Sequence, residues 1–308
     1  MTADGIAAGW IAADWGSSNL RAWAMDGAGR VVAEAGSARG AATLAAEAFE
    51  PALLEVVGPW LAGAARTDVI VCGMAGARGG WTEAAYATVP CPPAPASFAR
   101  PPVADPRLAV RILPGLRQDD PADVMRGEET QVAGLLAADR GFGGVACLPG
   151  THTKWVHVGG GEVVSFASYM TGEIFALLAG QSVLRKTLAG DGWSEADFLA
   201  GVGDGVARPE RVPARLFPLR AEALLHGLAP ERARARLSGL LIGAELAAAR
   251  AYWLGRDVVL IGAPALAKAY RDALALAGLE ARVTDATAMT RAGLAAARAM
   301  LQAERSRR

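Results

Sequence analysis

The residues of this 308-residue chain best suited to chemistry sit at turns that follow apolar runs. The run at 10–13 ends in Asp14, and Gly16, Ser17 and Ser18 form a tight turn before a second run at 20–25. Glycine lets backbone N–H groups approach an anion closely, and the two serine hydroxyls add donors. A carboxylate at the strand end is placed to hold Mg²⁺ through water, because hard cations prefer oxygen ligands. An ordinary hairpin turn would use the same residue types. A second turn of this kind, Pro149-Gly150-Thr151-His152-Thr153, follows the run at 143–148. A glycine-dense loop, residues 73–81 with Arg78 in it, follows another short apolar run and must approach something closely. Finally, Glu128 and Glu129 stand side by side ahead of Leu135 and Leu136. One acid suffices to compensate a helix dipole, and two adjacent ones diverge by about 100° around a helix.

The elements that position these residues follow from the hydrophobic pattern. Strands are expected at 10–13, 20–25 and 30–35, an antiparallel meander. A helix is expected over 46–62, then a buried strand at 68–72 parallel to the first. Residues 82–108 are rich in Pro and Ala and read as an irregular excursion without helix. A strand at 108–113 precedes a helix over 123–136 with both acids in its first turn. A second meander occupies 143–168, with the same device of strand, Gly/hydroxyl turn, strand. That duplication predicts two domains of one type, each presenting a phosphate turn to a shared cleft. Further helices are expected at 171–188, with Ile174, Phe175, Leu177, Leu178, Val183 and Leu184 on its apolar face, and at 194–204, 219–227, 229–254, 265–277 and 288–304. The long helix at 229–254 carries Gly239 and Gly243, a spacing that allows close backbone approach. Strands at 257–261, ending in Gly262, and at 281–284 complete the chain.

Composition excludes several classes. Lys+Arg and Asp+Glu are both 31, so the balanced charge argues against a nucleic-acid surface or a polybasic membrane patch. Three scattered cysteines, no signal-peptide start and no long uncharged apolar stretch lead us to expect a soluble cytoplasmic protein. There is no G-x-x-x-x-G-K-[ST] loop, and Gly141-Phe142-Gly143-Gly144 precedes a strand, so it is no dinucleotide fingerprint. His152 and His157, five apart on a strand, would face opposite ways and make a poor metal pair.

Asp14-x-Gly16-Ser17-Ser18, the Gly-Thr turn of the second meander and the strand–Gly262–helix unit resemble the nucleotide elements of the sugar kinase/hsp70/actin superfamily. The segments DWGSSNLRAW, GMAGARGGW, PGL, DVMRGEETQ, LPGTHTKWV, MTGEIF and SGLLIGAE, in that order, resemble the 2-dehydro-3-deoxygalactonokinase family. The resemblance implies an α/β fold of two ribonuclease H-like, actin-like ATPase domains around a nucleotide/sugar cleft. Residues 1–140 would carry sugar-acid elements and 141–308 adenosine-binding elements. It implies ATP-dependent phosphorylation of the 6-hydroxyl of 2-dehydro-3-deoxy-D-galactonate, with Mg²⁺ on Asp14. Gly16, Ser17, Ser18, Gly150, Thr151 and Thr153 would cradle phosphate, with Gly243 and Gly262 at the nucleotide. Glu129, or failing that Glu128, would face the acceptor hydroxyl, with Glu in place of the usual Asp. A sugar acid also calls for a guanidinium fork, for which Arg21, Arg78 and Arg126 are the candidates. The partners are then a small sugar acid and ATP, with room for a homodimer. The alternatives are another sugar or amino-sugar kinase, or a non-catalytic sugar-acid sensor on the same fold. The chain opens at its first strand with no room for a DNA-binding domain ahead of it, which favours the enzyme.

Overall fold

The computed structural model describes residues 8–61, 66–94 and 97–307. The chain divides into two compact units, residues 1–142, 160–164 and 287–308 in the first, 143–159 and 165–286 in the second.

The first unit opens with the expected meander, β1 (Trp10–Trp15), β2 (Leu20–Met25) and β3 (Val31–Ser37). Helix α1 (Phe49–Val57) is shorter than the expected 46–62, because its ends tighten into 3₁₀ turns at Ala46–Ala48 and Gly58–Trp60. β4 (Thr67–Gly73) pairs in parallel with β1, and after the short β5 (Tyr86–Thr88) comes β6 (Leu108–Ile112), parallel to β4. The sheet order is β3-β2-β1-β4-β6. β7 (Gly115–Asp119) and β8 (Ala122–Met125) form a small separate sheet with β5. This corrects the expected helix over 123–136. Residues 122–125 are a strand, and the chain turns at Gly127 with φ +110° before α2 (Glu128–Ala138) begins. Both acids do lie in the first turn of α2. One face of the main sheet packs on Phe49, Leu53, Val56 and Trp60 of the α1 region. Trp15, Phe49 and Trp81 cluster there with centroids 4.9–6.0 Å apart, Phe49 stacked on Trp81 and Trp15 inclined to both, which anchors the glycine-dense loop to the tip of β1.

The second unit repeats the plan. β9 (Gly144–Leu148), β10 (Thr153–Gly159) and β11 (Glu162–Tyr169) form its meander. The helices α3 (Thr171–Gln181), α4 (Glu195–Ala207), α5 (Val212–His226), α6 (Pro230–Ala248) and the single turn α7 (Arg250–Trp253) follow. Then come β12 (Val258–Gly262), α8 (Pro264–Leu276) and β13 (Arg282–Asp285). The sheet order is β11-β10-β9-β12-β13, with β12 parallel to both neighbours, the arrangement of the first unit again. Two sheets of identical order, each a meander followed by two parallel strands, are the ribonuclease H-like fold twice over.

Three expectations change here. α3 ends at Gln181 instead of 188, and Ile174, Leu177 and Val183 are exposed, while Phe175 and Leu178 face the core. The helix expected over 229–254 breaks at Ala249. His152 lies in the turn before β10, not on the strand. α4 and α6 cross at facing glycine pairs, Gly201/Gly205 and Gly239/Gly243. A β-carbon on Gly239 or Gly243 would fall on the carbonyl of Phe198 or Val202.

The last helix, α9 (Ala286–Ser306), leaves the second unit at its first residue. The expected second domain of 141–308 therefore loses residues 287–308 to the first unit. Leu294, Ala297 and Leu301 of α9 bury against Trp10, Ile70 and Cys72 on the sheet face opposite α1. α9 also crosses α2 at Gly134 and Gly293, where a β-carbon would fall on the carbonyl of Met289 or Thr130. Among the described residues no helix is long and apolar enough to cross a membrane.

Candidate active site

In the first unit three strand and helix ends converge. β1 ends at Asp14 and Trp15, paired in register with Cys72 and Gly73 of β4. Gly73 has φ +89°, and a β-carbon there would stand 2.6 Å from the Trp15 carbonyl. Only glycine meets both conditions, and the chain can therefore turn sharply beside Asp14. The Gly73 Cα lies 3.5 Å from where a β-carbon of Gly127 would be, so the start of α2 abuts the same point.

Glu129 is 1% exposed. Its Oε2 accepts the Gly127 N–H at 2.6 Å, and its Oε1 accepts the Thr130 hydroxyl at 3.1 Å. Burial, then the charge of Glu128, pushes its carboxyl up to about 8 against those hydrogen bonds. Glu128 is half-buried and accepts the Arg126 N–H at 3.1 Å. The two acids thus separate as the 100° helical step requires, one inward and one capping. Cys72 joins the carboxylates. Its thiol donates to Asp14 Oδ1 at 3.8 Å, and burial with the charges of Asp14 and Glu129 pushes it well up. This thiol stays protonated and is no nucleophile.

Asp14 pairs through Oδ2 with Arg21, whose other arm donates to Thr287 at 3.2 Å. Arg21 is thereby committed to a carboxylate of the protein. Arg78 is exposed on its loop and makes no hydrogen bond or ion pair among the described residues. Arg126 differs from both. It donates through Nη2 to the Ala84 carbonyl at 2.7 Å and lies over the Tyr86 ring at 4.3 Å. Its Nε and Nη1 are buried with no acceptor.

The turn at Gly16–Ser18 is fixed from behind. Gly16 N–H donates to the Asn19 carbonyl, and the carbonyls of Gly16 and Ser17 accept from Ala41 and Ala42 at 2.9 and 3.0 Å. Ser17 and Ser18 are exposed, with hydroxyls free to meet a ligand.

In the second unit, Gly172 passes so close to the Gly150 carbonyl that no side chain fits, and Glu173 N–H donates to the Thr151 carbonyl at 3.0 Å. His152 pairs with Glu173 at 2.6 Å. Thr151 is exposed, but Thr153 is not. The Thr153 hydroxyl is fully buried 2.9 Å from the Tyr270 hydroxyl, which donates in turn to Glu245 at 2.7 Å. Thr153 faces the core because it starts β10 on the face that carries Trp155, and its hydroxyl is spent on Tyr270 instead of the expected phosphate cradle. Gly243, expected at the nucleotide, is buried with the backbone of α4 packed against it. Gly262 is buried beside Pro149, just behind the turn.

A cavity of about 530 Å³ opens at Gly150 in this unit. Phe175, Leu241, Ile242 and Leu266 give it apolar walls, and Ser238, Glu195 and Lys268 supply polar groups. Its wall residues Thr171 and Tyr270 are held from behind by the buried Glu245, which also accepts the Trp155 N–H at 2.8 Å. The sequence reading missed Glu245 and the cavity walls. Phe175 falls on the apolar face expected of its helix, and nothing local marks a wall from a core position.

The comparisons agree with one another. The family model described as 2-keto-3-deoxy-galactonokinase matches residues 14–297. The chain is 44% identical to a probable 2-dehydro-3-deoxygalactonokinase of Rhizobium meliloti (strain 1021), covering 94% of this chain and 97% of that one. It is 34% identical, with the same coverages, to the 2-dehydro-3-deoxygalactonokinase of Escherichia coli (strain K12). A crystal structure of a Sinorhizobium meliloti protein named for the same activity superposes with TM-score 0.86 at 42% identity, covering 94% of this chain and 95% of that one. With a family match over most of its length and two relatives above 30% identity, this chain belongs to the 2-keto-3-deoxy-galactonokinase family.

Proposed function

We propose that this protein transfers the γ-phosphoryl group of ATP to the 6-hydroxyl of 2-dehydro-3-deoxy-D-galactonate. The observation that carries the reading is Glu129, a buried carboxylate of raised pKa at a helix N-terminus beside Asp14. A primary alcohol is a poor nucleophile, and a carboxylate that titrates near 8 is a strong enough base to take its proton during attack. The names of the curated relatives supply the substrate.

Each unit has its part. In the first, Gly16, Ser17 and Ser18 offer donors to phosphate, and Arg126 offers two unpaired N–H groups to the carboxylate of the sugar acid. We choose Arg126 over Arg21, which Asp14 engages, and over Arg78, which nothing positions. In the second, the cavity receives adenosine between Phe175, Leu241 and Leu266, with Gly150 and Thr151 at its phosphate end.

The residues fit Mg²⁺ in the mode it usually takes with nucleotides, one carboxylate plus phosphate oxygens and water. Among the described residues no group of three or more metal-ligating side chains exists, so a cage built by the protein alone is not the design. Asp14, the carboxylate at the end of β1, would hold the ion through water. When bound, the ion neutralises charge on the transferring phosphoryl group. The reading carries a cytoplasmic location, consistent with three free cysteines.

The test is ADP release with Mg²⁺-ATP across a panel of 2-keto-3-deoxy sugar acids, with the phosphate located by ³¹P NMR. Turnover preferring the galactonate derivative, phosphorylated at its 6-position, is expected. No ADP release with any member, or a clear preference for an amino sugar, would overturn it.

A further inference from the structure

Five buried side-chain N–H atoms lack an acceptor among the described residues, and they fall in two places. Two belong to Arg126. The other three, Trp10 Nε1, Arg111 Nε and Arg298 Nε, all lie on the α9 face of the first unit's sheet. The register sets them on one face of the sheet, with β4 between Trp10 and Arg111. Trp10 stands one residue ahead of Ile11, which pairs with Val69, so it adjoins Asp68. Arg111 pairs with Ile70 on the same face, and Arg298 of α9 lies over the Trp10 ring at 5.1 Å.

Charge points the same way. Asp68 is bound by both arms of Arg305, at 2.8 and 2.9 Å. Arg66, Arg100 and Arg305 all stand near enough to Arg111 to press on its charge. Arg111, Arg298 and Arg305 therefore share one carboxylate, which Arg305 already occupies, and Arg66 and Arg100 add positive charge beside Arg111. Arg111 spends Nη1 on the Val110 carbonyl and Arg66 spends Nε on the Leu108 carbonyl, and among the described residues no second acid pairs with either. Burial, helped by the neighbouring cations, lowers the pKa of Arg111, as expected for a cation short of anions. Buried donors normally find acceptors, and a surplus of donors and positive charge in one place calls for an acceptor-rich anion.

We propose that Trp10, Arg111 and Arg298, with Arg66 and Arg100 at the rim, form a phosphate-binding site separate from the acid pair. Its ligand class is a tetrahedral dianion, inorganic phosphate or the phosphate of a small metabolite. The indole and guanidinium N–H groups meet its oxygens, and the exposed Arg66 and Arg100 attract it. The site lies under α9, whose first half crosses the helix that bears Glu129.

The experiment is calorimetric titration of the whole protein with inorganic phosphate, the nucleotide site filled beforehand by a non-hydrolysable ATP analogue. Sodium chloride at matched ionic strength is the control. One saturable phosphate event is expected, weakened by roughly tenfold or more in Arg111→Gln and Arg298→Gln. Arg66→Gln and Arg100→Gln sit on exposed side chains and should fold normally while weakening binding severalfold. They carry the test if the buried variants fail to fold. Tighter binding of a sugar phosphate than of phosphate assigns a phosphorylated metabolite, and equal binding assigns inorganic phosphate. Both support the site. Heats that chloride reproduces, an affinity unchanged in all four variants, or binding of a polyglutamate peptide but not phosphate would overturn it.

Discussion

Cys72 donates its thiol proton to Asp14 at 3.8 Å while also feeling the charge of Glu129, so one buried residue ties the two carboxylates of the first unit together. Asp14 comes from the end of a strand and Glu129 from the start of a helix. The divided labour suggested for them has direct consequences.

Asp14→Asn should leave the fold intact and remove most phosphoryl transfer. Asp14 is a strand-end side chain whose ion pair with the half-exposed Arg21 contributes little stability. Loss of a charge aimed at the phosphates should cost roughly 10²–10³-fold in kcat. Coupled ADP release and circular dichroism read the two effects; near-normal turnover would remove Asp14 from the mechanism.

Glu129→Gln keeps an acceptor for the Gly127 N–H but removes basicity. It should lower kcat by roughly 10²–10⁴-fold with little change in KM. Glu128→Gln should act mainly on the KM for the sugar acid. A large kcat loss from Glu128→Gln alone would shift the assignment by one residue.

The pH dependence separates catalysis from stability. Glu129 has an ordinary value of 4.5 and sits at about 8 in the fold. Between those values the folded protein keeps a proton that the unfolded chain has lost. Stability from this group is therefore full below the unfolded value and is lost as pH rises through the folded one. Glu129→Gln escapes that loss, so its Tm advantage over the parent should grow from about pH 5 to about pH 8 and then level. The activity of the parent should climb over the upper part of the same range, because only the ionised acid accepts a proton. A flat Tm difference across this range would contradict the burial of an unpaired carboxylate.

Arg126→Met should raise the KM for the sugar acid by roughly 10–100-fold, the share of a charged hydrogen-bonding partner. The KM for ATP should stay put. Arg21→Met should not reproduce this split, because its guanidinium faces Asp14. Equal effects on both substrates would reduce Arg126 to a brace for Ala84 and Tyr86.

Gly134→Ala should destabilise by roughly 1–3 kcal/mol, because the new methyl meets the Met289 backbone of α9. Gly203→Ala, in α4 with open space around it, should instead stabilise by about 0.5–1 kcal/mol. Thermal melts of the pair check the helix crossing. Equal Tm values would mean that α2 and α9 are not in backbone contact.

The meanders, their Gly/hydroxyl turns, the strand before Gly73 and the two acids at a helix start could all be read in the sequence. Each depends on neighbours within a few residues, through period-2 alternation, turn glycines and helix-start acids. The helix predicted over 123–136 failed because β8 is held by β7, a partner that local pattern does not reveal. Gly243 and Thr153 had ligand-like residue types, but α4 and Tyr270 reach them first. Only the tertiary structure decided that Glu129 is the fully buried acid and Glu128 the half-buried one, that Arg126 keeps two donors unused, and that α9 returns to the first unit. The reason is common to all three. Burial, pKa and unmet hydrogen bonds are set by groups far away in the chain, and the residue types themselves are silent about them.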